Sequence, residues 1–328
     1  PADGVRTGVE HVLLTTGGQQ ALSLLAGLFI RPGDAVITEE VTYAGALDAF
    51  RTAGARLFGA PMDGDGVDPD ALDALIERVR PVLVYLIPTF QNPTGRTMGS
   101  ARRAAVAELF RQHQVPLVED DPYGTLHYDG EPLPRMIELS ARADPGAPYA
   151  GPVIYMGTLS KEIAPGLRIG WVIAAPEIVE ALAMAKLGAD MCTSGLSQRV
   201  ALAAIEAGLL EKIRPTILDT YRQRRDALCA AMREHLADWL DWEVPVGGMF
   251  VWAVGRDPSL DTDRLLPHAM AAGVCVSPSS VFDATGTNRR ALRINFTLND
   301  ADRLTEGVRR LARAFEAMQV PRRPGTSA

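Results

Sequence analysis

The chain has 328 residues, of which 47% are hydrophobic and 22% charged, a composition that excludes a disordered or fibrous protein. Its formal net charge of −7 gives no general basic surface, so we expect no nucleic-acid partner for this segment. Its apolar runs are shorter than the roughly 20 residues that cross a bilayer, and no secretory signal is visible, so we expect a cytoplasmic protein without a membrane partner.

Helical and strand patterns alternate through the first two thirds of the chain. The periodicity predicts helices over residues 16–29, 43–53, 69–79 and 100–113, and short strands over 35–37, 56–59, 82–87, 116–119, 153–157 and 169–174. Asp68 is the predicted N-cap of the third helix. Strands that are apolar throughout indicate burial on both faces. We therefore predict an α/β fold with a mainly parallel central sheet and helices on both faces.

The pattern changes after residue 208. A helical pattern begins near residue 176, passes Lys186, is interrupted over 188–195 and continues to 208, and a second long helix is predicted over 215–236. Strands at 250–254, 274–277 and 291–296 then surround a helix at 263–272, and a helix at 300–318 follows. We predict a large domain over residues 1–208, a smaller C-terminal α+β domain over 209–320 and a disordered tail over 321–328.

Lysines are scarce, because only Lys161, Lys186 and Lys212 occur among the 33 basic residues. Lys186 and Lys212 lie in helical patterns, where a solvated surface lysine is expected. Lys161 lies between two apolar strands, at the end of a sheet where α/β proteins bind ligands. Burial and the nearby Arg168 would favour its neutral amine, which can attack a carbonyl carbon. An ordinary loop lysine is the alternative interpretation.

A phosphate site is predicted from two separate segments. Gly17, Gly18 and Gln19 open a helix whose bare N–H groups suit an anion, although a Gly-Gly pair is also common in tight turns. A second group of polar side chains adjoins Lys161 in sequence and adds hydroxyl donors and a fixed charge, namely Thr158, Ser160 and Arg168. A phosphate site beside a reactive amine is what pyridoxal phosphate requires.

Acidic and amide side chains follow two more of the predicted strands. We interpret Glu119 as the cap of a turn. Asp120 or Asp121 could hold a proton on a pyridine nitrogen, and the spacing does not choose between them. Tyr123 and Asn92 could both hydrogen-bond the phenolic oxygen of such a cofactor.

Arg293 lies within an otherwise apolar strand. A buried guanidinium needs an anionic partner, which is either a protein carboxylate or the α-carboxylate of a substrate. The five histidines have no metal-ligand spacing, the three cysteines indicate no disulfide framework, and no GxGxxG motif of a dehydrogenase occurs.

Taken in order, these motifs resemble the class I and II, fold-type-I aminotransferases that depend on pyridoxal phosphate, across nearly the whole chain. The resemblance is carried by Gly17-Gly-Gln, Tyr43, Asn92-Pro-Thr-Gly, Asp120-x-x-Tyr123, Thr158-x-Ser-Lys161, Arg168 and Arg293. The motifs similar to the 2-aminoadipate and multi-substrate branch are Phe90-Gln-Asn-Pro-Thr-Gly, Glu119-Asp-Asp-Pro-Tyr, Lys186-Leu-Gly-Ala-Asp190 and Gly247-Gly-Met-Phe-Val-Trp252.

The resemblance implies a role for each matched residue. Lys161 would attach covalently to the cofactor and move a proton, with Asp120 paired to the pyridine nitrogen. The remaining cofactor contacts it implies are Asn92 and Tyr123 on the phenolic oxygen, Tyr43 stacked on the ring, and Thr158, Ser160, Arg168 and the Gly17, Gly18 and Gln19 turn on the phosphate. Substrate would be held by Asn92 and by Arg293, which would bind its α-carboxylate.

The implied activity is transfer of an amino group from an α-amino acid to a 2-oxo acid such as 2-oxoglutarate. The donor would be 2-aminoadipate or an aromatic, branched-chain or glutamate-like amino acid, and the enzyme would be a homodimer with its site at the subunit interface. Two alternatives are the cofactor-binding sensor domain of a winged-helix (GntR/MocR-like) regulator and a carbon–sulfur lyase. In the family a longer segment precedes the glycine motif and reaches the partner's site, so we expect those elements to lie outside this chain.

Overall fold

The computed structural model of the chain describes residues 5–142 and 146–321. The predicted disordered tail therefore lies, from residue 322 onward, outside the described residues. The helices are α1 (Gly18–Phe29), α2 (Ala44–Thr52), α3 (Pro69–Val79), α4 (Ser100–His113), α5 (Met136–Ala141), α6 (Pro176–Ala189), α7 (Gly195–Glu206), α8 (Leu209–His235), α9 (Thr262–Ala271) and α10 (Ala301–Ala317).

Two main sheets and a two-stranded ribbon contain the strands. The larger sheet has seven strands, β1 (Val12–Thr15), β2 (Ala35–Glu39), β3 (Arg56–Ala60), β6 (Leu83–Leu86), β7 (Leu117–Asp120), β8 (Val153–Thr158) and β9 (Gly170–Ile173), and the ribbon pairs β4 (Met62–Asp63) with β5 (Gly66–Val67). The smaller sheet has four, β10 (Leu240–Trp242), β11 (Phe250–Gly255), β12 (Ser277–Pro278) and β13 (Ala291–Asn295).

The seven-stranded sheet is mainly parallel, as predicted. Its strand order is β1-β9-β8-β7-β6-β2-β3, and only β9 runs against the others. Alternate residues of its strands face two apolar layers: Leu83 and Tyr85 face one core, whereas Val84 and Leu86 face the other. Helices therefore cover both faces, which explains why these strands are apolar throughout.

This topology brings the predicted site residues to one edge of the sheet. The carboxyl ends of β1, β2, β6, β7 and β8 all meet there, and each is followed by one of the polar motifs. Arg168 precedes β9, but since β9 is antiparallel its amino end lies at the same edge. The carboxyl edge of parallel strands is where open α/β sheets bind ligands.

The four-stranded antiparallel sheet has its own apolar core, formed with α8, α9 and α10. Within it Trp239 stacks on Phe315, with ring centroids 5.3 Å apart. Arg293 lies on β13, opposite Trp252 of β11. The division into domains at residue 208 stays a prediction.

Differences from the predicted elements have local causes. Helix α8 begins at Leu209, whereas we predicted a start at Pro215. Pro215 lies inside the helix, where its missing N–H removes one hydrogen bond but does not end the helix. The strand predicted over 274–277 is reduced to Ser277–Pro278. Within the described residues, none of the helices combines the length and the apolar character needed to cross a membrane.

Candidate active site

A cavity of about 190 Å³ opens at the carboxyl edge of the larger sheet. Its wall contains all but Gly17 of the residues that we predict to bind a cofactor, namely Gly18, Gln19, Tyr43, Asn92, Asp120, Tyr123, Thr158, Ser160, Lys161 and Arg168. These residues come from five separate strand ends and from the segment before β9. The structure therefore brings together residues that are up to about 150 positions apart in sequence.

Lys161 lies on the loop between β8 and β9 and is half-buried. Within the described residues its amine has neither a hydrogen-bond partner nor an ion-pair partner. Burial lowers the pKa of Lys161, and the charges of Arg168 and Arg293 lower it further. Both causes favour the neutral, nucleophilic amine at lower pH than for a surface lysine.

The glycine turn before α1 forms one end of the cavity. Gly17 has φ 80°, and a β-carbon there would collide with the guanidinium of Arg168. The backbone conformation therefore favours glycine, and a larger residue would also displace the Arg168 guanidinium from its place beside the turn. Helix α1 begins at Gly18, and the N–H groups of its first turn lack intrahelical partners, so that this end of the cavity suits an anion.

Arg168 closes the same end of the cavity from the opposite segment. Its backbone has φ 55°, in the left-handed region that few residues other than glycine adopt. Its Nη2 donates to the carbonyl oxygen of Thr16 at 3.4 Å. The guanidinium is exposed, and it is the fixed positive charge beside the glycine turn.

Two hydroxyl groups complete this end of the cavity. Thr158 Oγ1 donates to the carbonyl oxygen of Ile169 at 2.9 Å and lies 2.9 Å from Ser160 Oγ. The N–H of Ser160 donates in turn to Thr158 Oγ1 at 3.2 Å. These bonds fix the loop that leads to Lys161 and leave the Ser160 hydroxyl facing the cavity wall.

The two adjacent aspartates have different surroundings. Asp120 lines the cavity, and its Oδ2 accepts a hydrogen bond from Tyr85 at 2.5 Å. Asp121 points elsewhere, since its Oδ2 accepts from Arg135 at 3.2 Å and from Tyr155 at 3.1 Å. Burial raises the pKa of Asp120 to about 7, the bond from Tyr85 opposes that rise, and the charge of Asp121 adds to it.

Tyr85 was not identified by sequence reasoning. It lies in the middle of β6, fully buried, and its hydroxyl reaches Asp120 across the sheet. A tyrosine within an otherwise aliphatic strand could have been noticed, because a buried phenol needs a polar partner. The identity of that partner depends on the pairing of β6 with β7, which the sequence does not specify.

Asn92, Tyr123 and Arg293 meet at the side of the cavity that faces the smaller sheet. Asn92 Nδ2 donates to the Tyr123 hydroxyl at 3.4 Å, and Arg293 Nη1 donates to Asn92 Oδ1 at 2.8 Å. The Arg293 guanidinium also lies 4.2 Å from the ring centroid of Phe250 and 4.6 Å from that of Phe282. Burial lowers the pKa of Arg293, but a guanidinium keeps its charge at neutral pH.

Arg293 lacks the protein carboxylate that was one of its two predicted partners, as far as the described residues show. Two aromatic faces and the Asn92 amide oxygen surround it instead. Such partners hold a guanidinium in place without neutralising it. Arg293 does not itself line the cavity, but it contacts Asn92, which does, so its unneutralised charge lies next to the cavity.

Tyr43 lies at the N-terminus of α2 and contacts the glycine turn. Its hydroxyl donates to Gln19 Oε1 at 3.2 Å, and Gln19 Nε2 donates to the carbonyl oxygen of Gly45 at 2.9 Å. The half-buried phenol ring thus forms part of the cavity wall.

The surface prediction for Lys186 was wrong. Its side chain is 6% exposed and pairs with Asp190, with Nζ 2.6 Å from Oδ1, and Nζ also donates to Gln20 Oε1 at 2.7 Å. Gln20 is 166 positions from Lys186 in sequence, so local sequence patterns could not predict this contact. Lys212 is exposed, as predicted.

Two buried glutamates next to the site have structural partners. We predicted that Glu119 caps a nearby turn, but its carboxylate instead caps the N-terminus of the distant helix α5. The carboxylate oxygens of Glu119 accept from the N–H groups of Met136 and Ile137 at 2.8 and 3.0 Å. Glu39, which sequence reasoning missed, accepts from Thr42 and Gln91 at 3.0 Å each. Burial raises the pKa of each glutamate to about 7.

Comparison with known proteins identifies the family. The profile of the family described as "Aminotransferase class I and II" matches residues 2–311. An aromatic-amino-acid aminotransferase of Thermococcus litoralis is 39% identical over 93% of this chain and 72% of its own length. The crystal structure of LysN, an α-aminoadipate aminotransferase of Thermus thermophilus in complex with N-(5′-phosphopyridoxyl)-L-leucine, superposes with a TM-score of 0.89 at 35% identity, over 94% of this chain and 78% of LysN.

The chain also resembles transcription regulators, at lower identity. The HTH-type regulator YisV of Bacillus subtilis is 31% identical over 96% of this chain, which spans 63% of the regulator. The identity to the enzymes is higher than the identity to the regulators, which favours the enzymes. The chain belongs to the class I and II aminotransferases and is a transaminase that uses pyridoxal phosphate.

Proposed function

We propose that the cavity at the carboxyl edge of the larger sheet is the transamination site, with Lys161 as the residue that attaches to the cofactor. The observation that carries this proposal is that the lysine amine, the Asp120 carboxylate and the glycine turn all line one cavity. Pyridoxal phosphate has an aldehyde, a pyridine nitrogen and a phosphate, and each has a matching group here.

The residues present fit this cofactor at both of its ends. The Gly17 backbone lies directly against the Arg168 guanidinium, so the N–H groups at the start of α1 and a fixed positive charge are next to each other at this end. At the other end, the buried Asp120 carboxylate has the Tyr85 hydroxyl as its protein donor, which leaves an oxygen for a protonated ring nitrogen. We assign the phosphate to Thr158, Ser160, Arg168 and the Gly17–Gln19 turn, and the ring face to Tyr43.

When bound, pyridoxal phosphate supplies a carbonyl carbon for the amino group and a ring that withdraws electrons. Lys161 would act as general acid and base, moving a proton at the substrate Cα and at the cofactor C4′ atom. Asp120 keeps a proton on the pyridine nitrogen, and Asn92 and Tyr123 hydrogen-bond the phenolic oxygen. Arg293 and Asn92 orient the substrate, with the guanidinium on its α-carboxylate.

We propose an α-amino acid of the 2-aminoadipate, aromatic, branched-chain or glutamate-like type as donor, and a 2-oxo acid such as 2-oxoglutarate as acceptor. The names of the similar enzymes, which include an aromatic-amino-acid and an α-aminoadipate aminotransferase, support this substrate range. The charge of Arg293 supports a carboxylate-bearing substrate, because two aromatic rings hold it without neutralising it.

We also propose a homodimer with the site at the subunit interface. Helices α6 and α7 and the loop between them carry large apolar side chains that are 54–77% exposed, namely Met184, Leu187, Met191 and Leu196. An exposed apolar surface of this kind marks a protein contact. Ala201 of α7 packs on Leu159 and Ile169, on either side of the Lys161 loop, so that a partner on α7 would brace this loop.

We also propose that the protein is cytoplasmic and that its two domains divide after residue 208. The three cysteines, Cys192, Cys229 and Cys275, are unpaired, which is typical of a reducing compartment. Helix α8 begins at Leu209 and packs on α10, which supports a boundary between residues 208 and 209.

The visible spectrum of the purified protein with pyridoxal phosphate tests the central proposal. We expect a coloured complex that shifts to the pyridoxamine form when 2-aminoadipate or glutamate is added. Lys161→Ala should lack the colour, whereas the control Lys212→Ala, which changes an exposed lysine, should match the unmodified protein. Colour that does not respond to any amino acid would favour the regulator-type sensor, pyruvate and ammonia as products would favour the lyase, and a coloured Lys161→Ala would refute our assignment.

Sedimentation tests the dimer. Leu196→Asp places a charge in the apolar surface of α6 and α7, so we expect a shift from dimer to monomer and weaker cofactor binding. Met270→Asp is the matched control, since Met270 is a similarly exposed apolar residue on α9. A Leu196→Asp protein that stays dimeric would place the interface elsewhere.

A further inference from the structure

An ion pair between the buried Lys186 and the more exposed Asp190 lies behind the glycine turn. Nζ of Lys186 is 2.6 Å from Asp190 Oδ1 and 2.7 Å from Gln20 Oε1. Lys186 is 5% exposed, although it belongs to the residue type that is least often buried. A buried ammonium group needs polar partners, and both partners of Lys186, Asp190 and Gln20, also contact Thr16.

The second oxygen of Asp190 continues the network toward the turn. Asp190 Oδ2 accepts from Thr16 Oγ1 and from Gln20 Nε2, at 2.7 Å each. Gln20 Oε1 also accepts the N–H of Thr16 at 2.8 Å. The pair thus fixes both the backbone and the side chain of Thr16, directly or through Gln20.

Thr16 is the residue from which the glycine turn starts. Gly17 follows it with φ 80°, α1 begins at Gly18, and the carbonyl oxygen of Thr16 accepts from Arg168 at 3.4 Å. A Gly-Gly pair loses more conformational entropy on ordering than any other dipeptide, so it needs to be held from outside. The network holds the turn and, through the Thr16 carbonyl, also the guanidinium that we assign to the phosphate.

We propose that Lys186 and Asp190 are positioning residues for the cofactor phosphate: they hold Thr16 so that the glycine turn and Arg168 are arranged for the phosphate before it binds. The inference rests on the proposed cofactor site. Among the described residues, neither Lys186, Asp190, Thr16 nor Gln20 lines the cavity, so they act through the turn and do not touch the cofactor. Pre-arranged donors gain affinity because the cost of ordering them is met on folding.

The alternative is that the pair merely joins α6 to α1. The two explanations differ in what they predict for a ligand without a phosphate. Pyridoxal has the ring and aldehyde of pyridoxal phosphate but no phosphate group. A positioning role for the phosphate turn should change binding of pyridoxal phosphate and leave binding of pyridoxal nearly unchanged.

The test measures binding of both ligands to the cofactor-free full chain by equilibrium dialysis. For Lys186→Met and Asp190→Asn we expect binding of pyridoxal phosphate to weaken by about 10- to 100-fold, the range for loss of a hydrogen bond to a charged group. Pyridoxal binding should stay within about twofold, and Lys186→Arg, which keeps donors at this position, should restore part of the loss. Lys212→Met is the control for an exposed lysine.

The matched pair Thr16→Ser and Thr16→Val covers the case in which a variant of the ion pair fails to fold. Serine keeps the hydroxyl that donates to Asp190, and valine has the shape of threonine without it. Only Thr16→Val should lose affinity for pyridoxal phosphate. Equal losses for the two ligands, or no loss for either, would overturn the positioning role, whereas failure of the unmodified chain to bind pyridoxal phosphate would overturn the proposed cofactor site itself.

Discussion

Replacement of Tyr85 by phenylalanine should disable Asp120 without touching the cavity. The Tyr85 hydroxyl donates to Asp120 Oδ2 at 2.5 Å, and both side chains are buried. Tyr85→Phe removes this donor and keeps the ring, which packs edge-on against Phe50 with centroids 5.6 Å apart. The only change expected at the site is therefore the loss of one hydrogen bond to a carboxylate.

The size of the effect follows from that bond. A hydrogen bond to a charged group contributes about 1.5–3 kcal/mol, and about 1.4 kcal/mol corresponds to one pKa unit. Loss of the bond should raise the pKa of Asp120 by about one to two units, because burial already raises it to about 7 and Tyr85 opposes that rise. At neutral pH the proton then stays on the carboxyl group and not on the pyridine nitrogen, and kcat should fall by about 10- to 100-fold.

Steady-state kinetics against pH provides the measurement. We expect Tyr85→Phe to lower kcat at pH 7 and to recover part of it as the pH rises and Asp120 loses its proton. Tyr149→Phe is the control, since Tyr149 is a second buried tyrosine whose hydroxyl bonds the backbone of Val153 and the hydroxyl of Ser140, away from the cavity. A Tyr85→Phe enzyme with normal kcat across this range would refute the link between Tyr85 and the electron-withdrawing role of Asp120.

Three further substitutions or conditions give defined outcomes. Arg293→Lys should raise KM for the amino acid by about tenfold or more with little change in cofactor affinity, because an ammonium cannot form the two-pronged contact with a carboxylate; an unchanged KM would contradict the role of Arg293. Arg103 is fully buried and donates to the carbonyl oxygens of Met98, Pro88 and Pro134. Arg103→Met should therefore lower the free energy of unfolding, measured by denaturant titration, by about 3 kcal/mol or more. The control Arg111→Met, on the exposed face of the same helix, should change it little. Burial raises the pKa of three carboxyl groups, Glu39, Glu119 and Asp120, to about 7, so they hold protons in the folded state that the unfolded chain has already released. The free energy of unfolding of the cofactor-free protein should therefore fall as the pH rises from about 5 to 7.5. A free energy of unfolding that rises over this interval would contradict this expectation.

Much of the fold could be predicted because it is determined locally. Helices α3 and α4 have the predicted bounds, and Asp68 caps α3 by accepting from the N–H groups of Asp70 and Ala71 at 2.9 and 3.1 Å. The direction of β9 could not be predicted, since an apolar run looks the same in a parallel and an antiparallel pair. The short strand β1 was missed for a similar reason: its four residues are a strand only because β9 pairs with them.

Some of the candidate site residues could also be singled out from the sequence, for a different reason. Lys161, Asp120 and Arg293 are charged residues within or next to strands whose other residues are apolar or small. A charged residue that interrupts such a pattern is expected at a functional position. Lys186 shows where this reasoning stops. In the sequence it is a helical lysine with an aspartate four residues later, as on many exposed helix faces, and only the packing of α6 on α1 shows that the lysine is buried.

The residues behind the candidate site, which do not line the cavity, hold the lining residues in place. The proposed cofactor contacts come from five strand ends and from the segment before β9, so their relative positions must be fixed by links between neighbouring segments. Glu39 is such a link: it accepts from Thr42, next to Tyr43, and from Gln91, next to Asn92. Tyr85 links two strands in the same way through Asp120. Because these links join segments far apart in sequence, motifs cannot reveal them, yet their loss should alter cofactor binding as strongly as loss of a direct contact.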